Sequence, residues 1–414
     1  MYGHNVSLKE ILDAREARLG RQQLLLKTYG RPIVSFTMNI AGERKRSPLA
    51  DFAFEKGLGA LEQHLGRPLG GEALYLNTGC EAQFAYDMDA ARLKELCMQL
   101  EQSVVGRLYD MDVLDVSGRS VTRQIPRTCL LCGNPAAVCA RSRAHGLEAV
   151  QAETRRILQE FAAETLAADA VWALCREVDI TPKPGLVDLA NCGAHKDMDV
   201  SMFYRSAEAL RSYFAQAVKL GMADSPMPEL QQAGMEAERK MMDATGGVNT
   251  HRGAVYAFGL LLAAMGKRLM QGGDIFAMAA SLAASALPAE GYSHGLQMRQ
   301  RYGAGGARAE AMAGFPHGRM AYRKLEEQHG APWEALLSLL AYTEDTNLLY
   351  RGGKQGLQQV QQQAAAILAG EHTGYIDGLK KLDAWCIRNN LSPGGSADLL
   401  AVGLLLYRTH KVWA

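Results

Sequence analysis

Beyond about Leu147 this chain almost stops reading as strand. β-Branched runs thin out, and alanine, leucine and methionine recur at helical spacing near 153–178, 201–220, 252–270 and 331–350. Up to about Val116 the pattern is mixed: IVSFTMNI from Ile33 and GRLYDMDVLDV from Gly106 both read as strands between helical stretches. Such a chain needs two different cores, an α/β or α+β one followed by an all-α one. Its 414 residues also exceed the usual ceiling for a single core. No Pro/Gly/Ser linker marks the junction; HGLEAVQAETRRILQEF, from His145, reads instead as one amphipathic helix joining the halves. The expected boundary is at 160, with domains over 1–160 and 161–414.

A net charge of +1 supplies no bulk field to recruit nucleic acid or an anionic membrane, so local clusters must do any anion binding. No uncharged stretch is long enough to span a bilayer, and MYGHNVSLKEILD lacks a basic segment followed by an apolar run. A cytoplasmic protein is expected. Eight cysteines over this length are too sparse for a disulfide scaffold and would stay reduced there.

In the first half, Asp110 and Asp112 fall on one face of an extended strand. Paired carboxylates with substrate phosphates suit Mg²⁺, and Arg107 would neutralise a phosphate beside them; a solvated edge strand is the competing reading. Cys129, Cys132, Cys139 and His145 give C-x2-C-x6-C-x5-H, a spacing that tetrahedral Zn²⁺ accepts, although free cysteines also pack as small hydrophobes.

In the second half, TPKPGLVDLANCGAHKDMD, from Thr181 to Asp199, interrupts the helical pattern. Pro182, Pro184, Gly185 and Gly193 break any helix there, while Asp188, Asn191, His195, Asp197 and Asp199 crowd into twelve positions. GGVNTHRG from Gly246, EDTNLLYRGG from Glu344 and NLSPGGSADLLA from Asn390 also put small or polar residues at helix ends. Gly394 and Gly395, ahead of Ser396 and Asp398, would offer amides to a phosphate; simple capping, with Ser396 as N-cap, is the alternative. Asp188, Asp197, Asp199, Asn249, His251, Asp345 and Asn347 recur at too many turns to be caps alone, and a metal–phosphate site is their natural use. His195 and His251 are read as site residues, against the commoner fate of a satisfied core histidine.

Several motifs stand in the order of known families. REARLGRQQLLL from Arg15, SFTMNIAGERKRS from Ser35, GRLYDMDV and CLLCGNPAAVCARSRAH, within about 8–155, resemble the CitX family, the apo-citrate lyase phosphoribosyl-dephospho-CoA transferases. TPKPGLVD, NxGAHKDMD, GVNTH, GFP, DTNxxxRGG and NLSPGGSADLL, within about 165–409, resemble the CitG family, the triphosphoribosyl-dephospho-CoA synthases. Arg252 stands where that family has lysine, and Ala309 where it favours glycine.

The resemblance implies a nucleotidyltransferase-type domain followed by a helical synthase domain. The synthase would join ATP to 3'-dephospho-CoA with loss of adenine. The transferase would then move the phosphoribosyl-dephospho-CoA group to a serine of the apo-citrate lyase acyl carrier (gamma) subunit, releasing pyrophosphate. It further implies catalytic roles for Asp188, His195, Asp197, Asp199 and His251, and for Asp110 and Asp112. Mg²⁺ would sit on Asp197 and Asp199 and on Asp110 and Asp112. Lys183, Asn191, Asn249, Arg252, Asp345, Asn347, Arg351, Ser396, Asp398, Arg44 and Arg107 would bind substrates. The rivals are the equivalent enzymes for malonate decarboxylase, and a carrier-docking module with one inactive half.

Overall fold

The computed structural model describes residues 4–123, 125–286, 294–371 and 374–413. The chain divides into two compact units, 1–162 and 163–414.

The first unit is built on a four-stranded antiparallel sheet of β1 (Ile33–Met38), β2 (Gly70–Leu76), β3 (Gly79–Ala85) and β4 (Tyr109–Leu114), in the order β2-β3-β1-β4. Register places Val34 between Phe84 and Val113, and Phe36 between Ala82 and Met111, so one face is apolar. Phe36 stacks on Phe54 of the helix Pro48–Leu65 at 4.8 Å and meets Tyr109 edge-on at 5.1 Å. The opposite face is polar. Ser35, Glu81 and Gln83 line it and are buried beneath the helix Leu8–Tyr29, which Ser7 and Glu10 close with a capping box. Gln22 donates to Ser35 Oγ at 3.0 Å, Arg18 reaches Glu81 Oε2 at 2.7 Å, and Arg21 pairs with Glu81 Oε1. This helix buries polar groups rather than an apolar stripe, which is why hydrophobic spacing says little about it.

Two expectations change here. The strand read from Gly106 begins at Tyr109, because Val105–Leu108 forms a 3-10 turn. Gly106 lies so close to the Leu100 carbonyl that a Cβ would stand 2.1 Å from it. The hairpin of β2 and β3 was not anticipated: Cys80 to Phe84 does alternate apolar and polar residues, but Gly70, Gly71 and Gly79 interrupt the pattern on either side.

The second unit is all-α among the described residues. The helix Leu147–Asp179 runs on into it, and twelve helices of seven or more residues follow, ending with Gly394–Arg408. Arg252–Gln271 is long and apolar enough by composition to cross a membrane, yet 72% of its apolar window is buried within the unit. The expected helix over 331–350 is two, Trp333–Tyr342 and Thr346–Leu368. The first ends at Thr343, its C-cap, and Asp345 caps the second, accepting from the amides of Asn347 at 2.8 Å and Leu348 at 3.2 Å. The 201–220 helix likewise divides at Leu210.

Replacing Arg18 and Arg21 by methionine strands the Glu81 carboxylate under the sheet. A loss of about 3–5 kcal/mol is expected, and adding Glu81→Leu should recover much of it. Denaturant unfolding followed in the first unit measures both.

Candidate functional site

The segment Thr181–Asp199 forms a loop knotted on its own backbone. Gly185 has φ +69°, and a Cβ there would stand 2.2 Å from the Leu391 carbonyl; Gly193, at φ +57°, packs against Gly185 itself. Only glycine fits either place. Asp188, 2% exposed, spends its carboxylate inside the loop: Oδ2 accepts from Lys183 N at 2.8 Å, and Oδ1 from Ala190 N at 2.8 Å and Asn191 N at 3.0 Å. Asn191 Nδ2 donates to Asp383 Oδ2 at 2.9 Å, and Gly185 N to Asp383 Oδ1 at 2.9 Å. The loop is thereby pinned to the helix Tyr375–Arg388.

Lys183 is driven inward. Its Nζ meets Glu177 Oε1 at 2.5 Å, with both side chains almost fully buried. Around this pair stand Asp345, Asp398 and His251. Burial pushes the Asp398 carboxyl well above the usual carboxylate range, and the charges of Glu177 and Asp345 push it further. The Ala254 amide, in the first turn of the helix Arg252–Gln271, donates to it. Gly253 makes room, since a Cβ there would lie 1.9 Å from Asp398 Oδ2. Burial also raises the Asp345 carboxyl, although its Oδ2 accepts from Ser396 N at 2.7 Å and Ser396 Oγ at 2.9 Å. Ser396 is therefore not the N-cap of its helix: Gly394–Arg408 begins two residues earlier, and Ser396 is held by Asp345.

His251 is 4% exposed. Its Nδ1 shares a 2.6 Å hydrogen bond with Ser206 Oγ, while the buried Nε2 has no hydrogen-bond partner among the described residues. Burial, aided by the Lys183 charge, holds the imidazole down to about 3 from 6.5, so it is neutral at pH 7. An uncharged ring with one open nitrogen, beside carboxylates of raised affinity for protons, can hydrogen-bond a ligand and exchange a proton with it.

A second group lies nearer the surface. Arg351 donates to Ala194 O at 2.9 Å and Asn390 Oδ1 at 3.1 Å, and lies 3.4 Å from His195 Nδ1. His195 Nε2 shares a 2.8 Å bond with Ser392 Oγ. Burial, then the Arg351 charge, lower the affinity of His195 for a proton; Asp197, which is exposed, acts the other way. Asp199 is exposed and caps the helix Val200–Ala209, with Oδ1 accepting from Ser201 Oγ at 2.6 Å and Met202 N at 2.8 Å. Asn249 accepts from Arg252 N at 3.2 Å, and Arg252 pairs with Glu238 at 2.9 Å. Asn347 abuts Gly394, where a Cβ would stand 2.6 Å from Nδ2.

In the first unit, Asp110 and Asp112 share one face of the edge strand β4, as the spacing implies, opposite Thr37 and Ser35 on the polar face of the sheet. Arg127 lies 2.8 Å from Asp110 and 2.5 Å from Glu101, and Lys94 lies 3.9 Å from Asp112. Arg107 donates to the Cys129 carbonyl at 2.8 Å, and Arg44 is exposed. Cys129, Cys132, Cys139 and His145 bring four ligand atoms within 4.8 Å of one another.

Residues 163–414 match the family described as ATP:dephospho-CoA triphosphoribosyl transferase, CitG. Residues 6–161 match apo-citrate lyase phosphoribosyl-dephospho-CoA transferase, CitX. The chain is 36% identical to Protein CitXG of Haemophilus influenzae over 97% of its own length and 96% of that protein. The chain belongs to the CitXG family. It is also 36% identical to 2-(5''-triphosphoribosyl)-3'-dephosphocoenzyme-A synthase of Haemophilus ducreyi, over 66% of this chain and 97% of that one. A probable synthase of the same name from Azotobacter vinelandii is 41% identical over 60% and 93%. Both CitX and CitG are transferases, and this CitXG-family chain is a transferase enzyme.

Within the CitG-family unit, the fold links Lys183 to His251 directly and to Asp398 through a residue absent from the sequence reading, Glu177, while Asp345 connects Asp398 to Ser396. Glu177 lies inside a regular helix, where nothing local separates a buried acid from a solvated one. Asp383 and Ser392 were missed for a similar reason: their partners lie almost 200 positions away.

Because the folded state holds His251 unprotonated down to about pH 3, the unfolded chain binds one proton more between about 3 and 6.5. Stability should therefore fall with pH below 6.5, by about 1.4 kcal/mol per pH unit for this one group. His251→Gln should flatten that slope in denaturation series across pH.

Proposed function

We propose that this enzyme builds the citrate lyase prosthetic group and attaches it. The helical unit joins ATP and 3'-dephospho-CoA into 2'-(5''-triphosphoribosyl)-3'-dephospho-CoA and adenine. The sheet-containing unit transfers the product to a serine of the apo-citrate lyase acyl carrier (gamma) subunit and releases pyrophosphate. The two family matches in one chain support the pairing, since the product of one reaction is the substrate of the other. Both steps belong in the cytoplasm, where ATP and dephospho-CoA are available.

The observation that carries the first step is the buried Lys183–Glu177 pair, whose charges act on His251, with its open Nε2, and on Asp398, which also feels Asp345. Ribosyl transfer of this kind breaks the bond from C1 of the ATP ribose to adenine and forms one to the 2'-hydroxyl of dephospho-CoA. The charge at the transition state is oxocarbenium-like, so a positioned acid and nearby carboxylates are the useful groups. Asp398, whose carboxyl is raised well above the usual carboxylate range by burial and by the charges of Glu177 and Asp345, is assigned as the acid that protonates departing adenine. His251 Nε2 hydrogen-bonds the bound substrate. The hydroxyl proton passes to Asp197, the exposed carboxylate within electrostatic range of Arg351 and His195.

Arg351 and Arg252 bind phosphates, and Asp188 and Asn191 keep the loop in the shape that presents them. The hard oxygens of Asp197 and Asp199, both exposed, fit Mg²⁺, as do Asp110 and Asp112 on one face of β4. Bound there, the ion would neutralise phosphate charge. In the first unit Arg127 and Lys94 flank the same acids, and Arg44 offers an exposed cation to the carrier.

Purified protein given ATP, Mg²⁺ and 3'-dephospho-CoA should release adenine only when the acceptor is present, with a matching triphosphoribosyl product by mass spectrometry. Adenine formed without acceptor, or none at all, rejects the reading. Asp398→Asn should lower kcat by about 10²–10⁴-fold with little change in KM for ATP. An unchanged kcat removes Asp398 from the chemistry. With apo-carrier added, Asp110→Asn with Asp112→Asn should block pyrophosphate release and leave adenine release intact.

A further inference from the structure

We propose that Cys129, Cys132, Cys139 and His145 bind one zinc ion, which orders the loop lying against the Asp110 edge of the first unit. A tetrahedral site with Zn–S of about 2.3 Å and Zn–N of about 2.0–2.1 Å needs ligand-to-ligand edges of roughly 3.5–3.8 Å. Cys132 Sγ lies 3.5 Å from Cys139 Sγ and 3.4 Å from His145 Nε2, and all four ligand atoms fall within 4.8 Å of one another.

The backbone is folded to this end. The Cys129 amide donates to Asn134 O at 2.8 Å, and Thr128 bridges Pro135, so Cys129 and Cys132 are turned inward together. Cys139 comes from the short helix Ala136–Ser142, and Arg143, at φ 49°, reverses the chain so that His145 returns to the sulfurs. Three soft thiolate donors with one imidazole select zinc over the hard cations a phosphate site takes.

The region also lacks a core of its own. More than thirty residues separate β4 from the helix Leu147–Asp179, with one short helix among the described residues between them, while Ile125, Leu131 and Val138 remain exposed. A segment that buries so little apolar surface needs a cross-link to hold one shape. A disulfide between Cys132 and Cys139 would use two of the four groups and leave Cys129 and His145 without a reason to converge.

The ion has a structural consequence beyond its own ligands. Arg107 donates to the carbonyl of Cys129, and Arg127, two residues before that cysteine, pairs with Glu101 and Asp110. Ordering the cysteine loop therefore fixes the guanidinium that lies across Asp110.

Metal analysis of full-length protein, expressed with zinc and purified without chelator, should give one zinc per chain. Cobalt-loaded protein should show thiolate-to-cobalt charge transfer and the intense d–d bands of a tetrahedral site. On zinc removal with a chelator, amide hydrogen exchange should quicken over 127–146 and stay unchanged over 181–199. Cys132→Ser should lose the zinc, while Cys175→Ser should keep it. Should Cys132→Ser fail to fold, titrating wild-type thiols with a mercurial while following zinc release with a chromogenic chelator serves instead, with release expected as the cluster thiols react. Negligible zinc, octahedral cobalt spectra, or a Cys132–Cys139 disulfide found by mass spectrometry overturns the proposal.

Discussion

The contact between Lys183 and Glu177 organises the helical unit. An ammonium with almost no solvent exposure is tolerable only against a carboxylate, and the 2.5 Å pairing draws the start of the loop at Thr181 down onto the end of the helix Leu147–Asp179. Once Lys183 is inside, its backbone amide meets Asp188, the loop must turn through Gly185 and Gly193, and His195 is delivered to Ser392 and Arg351. A buried ion pair of this sort contributes little net stability against an apolar replacement. Its value lies in geometry: the Lys183 charge, with burial, lowers the proton affinity of His251, and the Glu177 charge adds to the burial that raises that of Asp398.

Buried charge does similar work in the first unit. Glu81 is held by Arg18 and Arg21 between helix and sheet, and Glu101 accepts from the Met111 amide while pairing with Arg123 and Arg127. Each acid ties an element that hydrophobic packing alone would leave free to slide. Asp110 shares its arginine with Glu101, and the buried Lys94 lies 3.9 Å from Asp112, so both acids are connected to the interior through cations.

Much of this was legible from residue order. β1, the helix joining the halves, the core helix from Arg252 and the shared face of Asp110 and Asp112 all follow from local periodicity. The β2–β3 hairpin was not, since glycines punctuate its short strands, and the burial of Glu81 and Gln83 depends on partners on another element. Ser396 was read as a substrate-binding residue, with capping as the alternative; Asp345, fifty-one positions away, claims both its amide and its hydroxyl. Asp188 and Asp199 stood out as acids near glycines, yet one closes its own loop and the other caps a helix.

By itself the sequence determined which residue types were available and where the chain had to bend: prolines and glycines forbid a helix through 181–199, and the change in apolar spacing requires two kinds of core. Only the tertiary structure decided which polar groups are buried. Proton affinity and hydrogen-bonding capacity depend on distance and on the exclusion of water, and both arise when the fold buries together residues as far apart in the chain as Glu177, Lys183, His251, Asp345 and Asp398.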